Sequence, residues 1–338
     1  MMRNSPNLLA DSQIEKGVTG QKSSRNRVEK VLKKMFDDVC QAVEDLDGKP
    51  VIEHVWNRSE GGVWCKGTGD GMTYTDRVLH GGNVFEKMGA NYAAMEVQLP
   101  PGMAFNGADV TPVQVDSDAP NSFYAVSTSF VIHPRNPMAP TAHVNYRYFE
   151  LDDLSQPNSW WFGGGGDLTP SYLFEEDAVH FHETHKAVCD EYDPTFYPRF
   201  KKWCDEYFYL PHREECRGVG GIFFDYVKEP SWDTLFSFVK DCSEAFLPAY
   251  LPIVEKRKDM PFTEENKFWQ RTTRGRYAEF IMAVDRGTRF GMQTGLVRPQ
   301  SVLNPMPETA HWQYDDEPSA GTPEARLKEV LRSPCNWL

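Results

Sequence analysis

The sequence lacks the long apolar runs, the basic excess and the paired cysteines that define several common protein classes. None of its apolar runs approaches the ~20 residues that a membrane-spanning helix needs. Its 36 lysines and arginines are outnumbered by 49 aspartates and glutamates, and the net charge of −13 argues against general binding to nucleic acid or anionic membranes. The seven cysteines are scattered without a C-x-x-C pair, which argues against a zinc ribbon or disulfide framework and favours reduced thiols.

The amino-terminal segment lacks the features of a targeting sequence. Residues 1–17 contain acidic residues and one apolar pair, so they match neither a secretory signal nor an arginine-rich, acid-poor transit peptide. We therefore expect a cytoplasmic protein. Residues 1–24 are polar and aperiodic, which predicts a mobile tail followed by a single domain over residues 25–338.

What the sequence does contain is enough apolar material for a large core, with 40% hydrophobic and 13% aromatic residues. Short apolar runs separated by glycine and proline predict an antiparallel sheet, and they occupy residues 51–56, 61–67, 91–99, 122–132 and 142–151. Two further strands are predicted at 218–227 and 276–285. Apolar residues at helical spacing predict helices over 25–47, 175–191 and 196–210, and from Ser231 and Thr322, which are suitable N-caps. These elements indicate one α+β domain.

The predicted strand at 142–151 carries an unusual polar face. Its period of two places His143, Asn145 and Arg147 on one side and Val144 and Tyr146 on the other. An imidazole, an amide and a permanent cation in one row favour a binding surface. A solvated outer face is the alternative.

Four consecutive glycines precede Asp167 in the stretch WWFGGGGDLTPSY at 160–172. Such a run has little packing value and predicts a mobile or ligand-approaching loop. It matches neither a Walker motif nor a dinucleotide fingerprint. The alternative is a flexible turn in which Asp167 caps a helix.

Six arginines and no lysine occur in residues 271–298, namely Arg271, Arg274, Arg276, Arg286, Arg289 and Arg298. A solvated face would mix lysine with arginine, whereas arginine alone favours two-pronged recognition of carboxylate or phosphate. Arg135, Arg147, Arg213 and Arg217 add to this supply elsewhere. The pattern predicts a small polyanionic ligand.

Several of these segments resemble oxygen-dependent coproporphyrinogen III oxidases of haem biosynthesis. The resemblance rests on FVIHPRNPMAPTAHVNYRYFE, WWFGGGGDLTPSYLFEEDAVHFH, RGVGGIFFD and RGRYAEF…DRGTRFG, and it runs from about residue 27 to the carboxyl terminus. It implies a large antiparallel sheet of about seven strands flanked by helices on both faces, a catalytic role for the single domain, and a homodimer. The implied substrate is a tetracarboxylate macrocycle. O₂ is the co-substrate, and two propionates become vinyls with release of CO₂ and H₂O₂ to give protoporphyrinogen IX.

The resemblance also assigns roles to individual residues. His143 takes the position of the family's proposed proton donor, and Asp285 and Arg286 that of an Asp–Arg pair for pyrrole N–H groups and a propionate. Asp167 matches the acid after the glycine run. The substrate-binding positions are occupied by Ser129, Asn145, Tyr146, Arg147 and Arg298. Which carboxylate acts as the base is left open, and Asp285 could instead only cap the turn that follows it.

This sequence departs from the family pattern in three places. Tyr226 replaces the second aspartate of the family's FFD-D, Ile281 replaces an asparagine, and Leu296-Val297 precedes Arg298 where the family has a glycine-serine pair. Only Arg298 keeps the chemistry of that last segment.

A histidine cluster provides the main rival hypothesis. His182 and His185 share a helix face and could hold a metal, which would indicate a metal-dependent oxygenase using a further histidine. Hydrogen-bonded core imidazoles are the alternative. His133, His182 and His212 align with histidines once suggested as metal ligands, but the resemblance implies no metal or organic cofactor. A non-catalytic porphyrin or anion carrier is a second rival.

Overall fold

The computed structural model describes residues 10–57, 72–98, 103–106, 111–114, 122–152, 154, 159–294, 297–315 and 317–338. Its main sheet is built from strands β1 (Ile52–Asn57), β2 (Met72–His80), β3 (Phe85–Gln98), β6 (Ser122–Pro134), β7 (Thr141–Leu151), β8 (Trp160–Thr169) and β11 (Gly220–Val227). These seven strands pair in the order β1-β2-β3-β6-β7-β8-β11, and every pairing is antiparallel. Two small hairpins complete the strands, namely β4 (Met103–Asn106) with β5 (Thr111–Gln114) and β9 (Tyr209–Leu210) with β10 (Glu215–Cys216).

Helices surround the sheet. They are α1 (Ala10–Asp47), α2 (Glu175–Tyr192), α3 (Phe196–Tyr207), α4 (Trp232–Arg257), α5 (Glu264–Glu279), a π-helix (Phe280–Val284), α6 (Arg286–Thr294), α7 (Pro299–Val302) and α8 (Pro323–Arg332). The predicted N-caps are confirmed, because the side chains of Ser231 and Thr322 accept hydrogen bonds from the backbone N–H groups of Thr234 and Ala325. None of the described helices combines the length and apolar composition of a membrane-spanning segment.

The two faces of the sheet carry different layers, as predicted. On one face Phe36 of α1 packs against Tyr92 and Phe130, with ring centroids 5.8 and 5.9 Å apart. On the other, Phe280 of the π-helix lies 5.3 Å from Phe208, in a smaller cluster that includes Phe223. The α+β architecture with helices on both faces is thus confirmed, and the smaller cluster borders the candidate site.

The first helix begins earlier than predicted. It starts at Ala10, so residues 10–24 continue the helix that was expected from residue 25. Their polar composition hid the helical period, which becomes clear only where Val28 and Leu32 enter the core. The mobility expected of the tail stays a prediction, and residues 1–9 lie outside the described residues, as does the strand expected at 61–67.

The glycine run is not a loop, so this prediction is wrong. Gly163–Gly166 lie within β8, between β7 and β11 in the buried middle of the sheet. A Cβ atom on Gly163 would lie 2.6 Å from Asp225 Oδ1 and 2.9 Å from Arg147 Nε. Glycine is therefore required by the close approach of neighbouring side chains, and Asp167 occupies a strand rather than a helix cap.

The strand predicted at 276–285 is also wrong, because this stretch is helical. A capping box between Thr263 and Asn266 starts α5, which runs on into the π-helix. Tyr277, Phe280 and Ile281 then fall at helical spacing and are all buried. Packing against the sheet overrides the strand preference of the sequence FIMAV. Asp285 consequently follows a helix, not a strand.

The cysteines in the described part of the chain are free thiols. Cys40, Cys189, Cys204, Cys216 and Cys242 are buried, and Cys335 is partly exposed. Burial raises the pKa of Cys40, Cys189 and Cys216 to about 12. The remaining cysteine, Cys65, lies outside the described residues.

Candidate active site

A row of polar residues crosses one face of the sheet. Asp76 of β2, Asn91 of β3, Ser129 of β6 and Asn145 of β7 are direct cross-strand neighbours, and the row continues to Gly165 of β8. Directly paired residues point to the same face. The structure therefore brings Ser129 and Asn145 together on this face.

Two arginines converge on one carboxylate beside this row. Arg147 and Arg286 each direct one guanidinium nitrogen to Asp225 Oδ2, at 2.9 and 3.1 Å. Arg147 Nη1 also donates to Asn145 Oδ1 at 2.5 Å. Burial disfavours the charged guanidinium, but the negative charge of Asp225 outweighs it and raises the pKa of Arg147. The remaining N–H donors of the two arginines form a suitable seat for a carboxylate ligand.

A buried ion pair supports His143. His143 Nδ1 donates to Asp167 Oδ1 at 2.8 Å, and one Arg217 nitrogen lies 2.7 Å from Oδ2 of the same carboxylate. Phe208, Tyr277 and Phe280 surround the Arg217 guanidinium, with ring centroids 4.0, 4.6 and 4.6 Å from it.

Burial would raise the pKa of Asp167, but Arg217 and His143 outweigh burial and lower it. The carboxylate is therefore ionised and fixes the His143 tautomer. The His143 side chain is 19% exposed, and Nε2 is the ring nitrogen that it can offer to a ligand.

Asp285 lies beside Arg286 but serves as a helix cap. Its Oδ2 accepts the backbone N–H of Thr288 at 2.7 Å, and its Oδ1 accepts the Tyr207 hydroxyl at 3.1 Å. This geometry matches the capping alternative. A catalytic role for Asp285 would need one of these oxygens to serve the substrate as well.

Arg298 lies at the far end of the polar row. Its guanidinium contacts Asp76 at 3.2 Å and lies 4.5 Å from the Trp56 ring. Asp76 is three strands from Arg147, about 14 Å at the usual strand spacing. The face thus carries cationic groups at two separated places. Leu296, one of the departures beside Arg298, lies outside the described residues.

The side chain of Tyr146 does not join this site, and its assignment to substrate binding stays a prediction. It lies on the opposite side of β7, fully buried, with its ring centroid 6.3 Å from that of Phe224. The strand period separates it from His143 and Arg147. Its side chain stabilises the core.

Most of the other arginines form structural ion pairs rather than a ligand site. Arg274 is buried against Glu86 at 2.6 Å, Arg276 pairs with Glu215, and Arg213 with Glu279 at 2.6 Å. Acids far away in sequence neutralise Arg213, Arg217, Arg274 and Arg276. The prediction of a polyanion site therefore applies best to Arg147, Arg286 and Arg298.

The histidines proposed as metal ligands lie apart from one another. His133 is held by Thr141 and by the Pro305 carbonyl, whereas His212 pairs with Glu279 at 2.7 Å. His182 bonds the Tyr197 hydroxyl and the Val219 carbonyl, at 2.9 and 3.1 Å. Within the described ranges, no three histidine, cysteine or acidic side chains are grouped as a metal site requires. The geometry of His133 and His182 matches the alternative of hydrogen-bonded core imidazoles, whereas His212 is exposed at the surface.

The burial of His182 predicts that the folded state loses stability at acid pH. Burial lowers the pKa of His182 to about 3 from an ordinary value of 6.5, so the folded chain excludes a proton that the unfolded chain binds. The free energy of unfolding should therefore fall as the pH drops from 6.5 towards 3, by about 1.4 kcal/mol per pH unit for this residue. Denaturant titrations between these limits should show a shallower slope for His182→Gln. His180→Gln, on the same helix, should keep the parental slope, and equal slopes for both variants would contradict the assignment.

Sequence reasoning did not identify Asp225 and Tyr207 as site residues, and it did not connect Arg217 with Asp167. Asp225 was detectable in principle, because a lone acid in the apolar strand GGIFFDYV must find a buried partner. No local pattern links Arg217 to Asp167, fifty residues earlier. Tyr207 has the sequence context of an ordinary core aromatic residue.

Comparison with known proteins matches these features to one family. The family model described as coproporphyrinogen III oxidase matches residues 27–337. Coproporphyrinogen-III oxidase 1, chloroplastic, of Arabidopsis thaliana is 46% identical over 98% of this chain and 83% of its own length. The chloroplastic oxygen-dependent enzyme of Hordeum vulgare is 46% identical over 94% and 81%, and the mitochondrial one of Homo sapiens is 44% identical over 93% and 67%. This chain therefore belongs to the coproporphyrinogen III oxidase family.

Proposed function

We propose that the chain is an oxygen-dependent coproporphyrinogen III oxidase, which converts two propionates of coproporphyrinogen III to vinyls and yields protoporphyrinogen IX. The observation that carries this proposal is the convergence of Arg147 and Arg286 on Asp225, beside the His143–Asp167–Arg217 chain, on one polar face of the sheet. Such a face can hold an anionic arm and handle a proton at the same time. The second cationic place, at Arg298, suits a substrate with several carboxylates.

The reaction balances without an external electron carrier. In each half-reaction the propionic acid loses its carboxyl carbon as CO₂ and one hydrogen from the carbon next to the ring, leaving a vinyl group. The two electrons and two protons released reduce one O₂ to H₂O₂. The protein would hold the propionate with Arg147 and Arg286, and His143 Nε2 would move a proton beside the ring.

We further propose that no metal or organic cofactor takes part, because the electron-rich pyrrole can itself donate electrons to O₂. The test is an aerobic assay with chelator, following O₂ uptake, CO₂ release and protoporphyrin fluorescence after oxidation of the product. Turnover should survive chelation. Activity lost in chelator and restored by one added metal would support the metal-dependent oxygenase, and binding without turnover would support the carrier.

Asp285 provides a separate prediction about the base. Asp285→Asn should keep the fold, because the amide oxygen still accepts from Thr288 N–H, but it should lose most of kcat if the charge holds or removes a pyrrole proton. Single-turnover O₂ uptake, a binding titration and a melting curve measure this. A well-folded variant with the parental rate would make capping the only role of Asp285 and move the base to another residue, first Asp167.

The cytoplasmic location and the homodimer are part of the same proposal. Free thiols at the described cysteines suit a reducing compartment, while the relatives are named for chloroplasts and mitochondria. Imaging of the tagged chain would decide between these compartments. Sedimentation at micromolar concentration should give a dimer. The family resemblance suggests that segment 280–284 contributes to or borders this interface. Phe280 and Ile281 are buried in the core, so within this segment Met282 and Ala283 are the exposed residues for such a contact.

A further inference from the structure

The strand that carries Asp225 is interrupted at the candidate site. The pairing of β11 with β8 shifts between Phe224 and Val227, which marks a β-bulge. Tyr226 within the bulge has φ of +52°. Alternation alone would point Tyr226 into the core beside Phe224. Because of the bulge, Asp225 and Tyr226 both face the candidate site.

The backbone of Tyr226 is in a region that bulky residues rarely adopt. Left-handed φ values are common for glycine and tolerated by asparagine, but an aromatic side chain there is an outlier. Such conformations persist where the surrounding structure holds them, and they concentrate at functional sites. Tyr226 is also a departure from the family pattern, so its role cannot be read from that pattern.

The contacts of Tyr226 show what the bulge achieves. Its ring lies 4.9 Å from Trp161, edge to face, and 5.8 Å from the Arg286 guanidinium. Tyr207 lies 5.0 Å from the same guanidinium, and Asp225 Oδ2 is 3.1 Å from its Nη2. Two rings and one carboxylate thus surround a side chain that is still 44% exposed.

These contacts restrict the orientation of Arg286. A free arginine side chain samples many rotamers, and ordering it on binding costs free energy. Aromatic faces attract the guanidinium without occupying its N–H donors. The Tyr207 hydroxyl also accepts a hydrogen bond from Arg286, and the donors used by neither Asp225 nor Tyr207 remain available to a carboxylate ligand.

We propose that Tyr226 is a positioning residue for carboxylate recognition, holding the Arg286 guanidinium ready for a propionate of the substrate. The inference rests on the proposed function, since it takes Arg286 as a propionate-binding residue. The strained bulge of this chain places an aromatic ring beside Arg286. This role is assigned to the aromatic ring of Tyr226, which is the part that contacts the Arg286 guanidinium.

The test uses coproporphyrin III, the oxidised tetracarboxylate that cannot undergo the reaction, in a fluorescence titration of the full chain. Tyr226→Gly removes the ring and the backbone strain together and should weaken binding about tenfold. Tyr226→Phe should bind within about twofold of wild type, because it keeps the aromatic face. If Tyr226→Gly fails to fold, Tyr226→Asn replaces it, since asparagine tolerates the same backbone conformation.

The chain offers a matched control in Glu214. It is exposed and has φ of +52°, so Glu214→Gly relieves the same backbone strain within the β9–β10 hairpin. This variant should bind coproporphyrin III as wild type does. A further measurement compares the double variant Tyr226→Gly/Arg286→Ala with Arg286→Ala alone. If Tyr226 acts through Arg286, the two should bind coproporphyrin III with the same affinity.

Several outcomes would overturn the inference. One is that Tyr226→Gly binds coproporphyrin III as wild type does, and another is that Tyr226→Phe loses as much affinity as Tyr226→Gly. A third is that Glu214→Gly loses as much affinity as Tyr226→Gly. The fourth is that Tyr226→Gly lowers the affinity in the Arg286→Ala background by the same factor as in wild type. A wild-type chain that neither binds coproporphyrin III nor consumes O₂ with coproporphyrinogen III would overturn the proposed function, and this inference with it. Wild-type turnover with parental binding by Tyr226→Gly would overturn this inference alone.

Discussion

Asp167→Asn should lower kcat by about 10²–10⁴-fold and the free energy of unfolding by about 3–5 kcal/mol. The first effect arises because an amide neither fixes the His143 tautomer nor stabilises its protonated ring. The second arises because Arg217, with a side chain only 1% exposed, would keep its charge without a partner. Single-turnover rates per folded molecule and denaturant unfolding measure the two effects separately.

The chain contains a control for the stability part of this prediction. Asp177 and Arg257 form another buried pair, joined at 2.8 Å, with the Arg257 guanidinium 3.6 Å from the Phe174 ring centroid. Asp177→Asn should lose stability and keep the parental kcat. If both variants lose only stability, Asp167 has a structural role and His143 does not depend on it.

Arg147→Ala and Arg286→Lys should each reduce kcat/KM by about 10- to 100-fold, the value of a charged hydrogen bond to a carboxylate. KM should rise and kcat should fall together, since a misplaced propionate also misplaces the reacting ring. Lysine should not rescue Arg286, because a point charge cannot reach both Asp225 and a substrate carboxylate as a planar fork does. Steady-state kinetics with coproporphyrinogen III provide the measurement.

An exposed arginine gives the comparison for this exchange. Arg326 on α8 pairs with Glu175 at 3.0 Å, far from these residues in the sequence, and Arg326→Lys should leave both constants unchanged. Parental kinetics for Arg286→Lys would show that charge alone suffices at this position. Two-pronged recognition of the propionate by Arg286 would then be ruled out.

The sequence predicted those parts of the fold in which local signals and packing agree. Ser231 and Thr322 cap helices as expected, and the alternation in β7 placed His143, Asn145 and Arg147 on one face. These predictions succeed because capping and strand alternation act between residues close in the chain. The local pattern is then enough.

The failures occur where a distant partner decides the outcome. The glycines of β8 suggest a loop in the sequence. In the structure a side chain on Gly163 would collide with Arg147 and Asp225, which lie on the neighbouring strands. The stretch FIMAV has strand preference, but it becomes a π-helix because Phe280 and Ile281 pack beside Phe208. Asp167 and Arg217 are found together only once β8 and the segment before β11 are adjacent. Such contacts have no signature in a single sequence.

The burial of the cysteine thiols affects how long the enzyme remains active during turnover. As proposed, each molecule of product is accompanied by two of H₂O₂, released beside the chain that made them. Peroxide attacks thiolates rather than thiols. With a pKa of about 12, the thiolate fraction of Cys40, Cys189 or Cys216 near neutral pH is about 10⁻⁵. These three side chains therefore resist the oxidant that the reaction generates, and among the described cysteines the partly exposed Cys335 is the first expected to be oxidised during prolonged turnover.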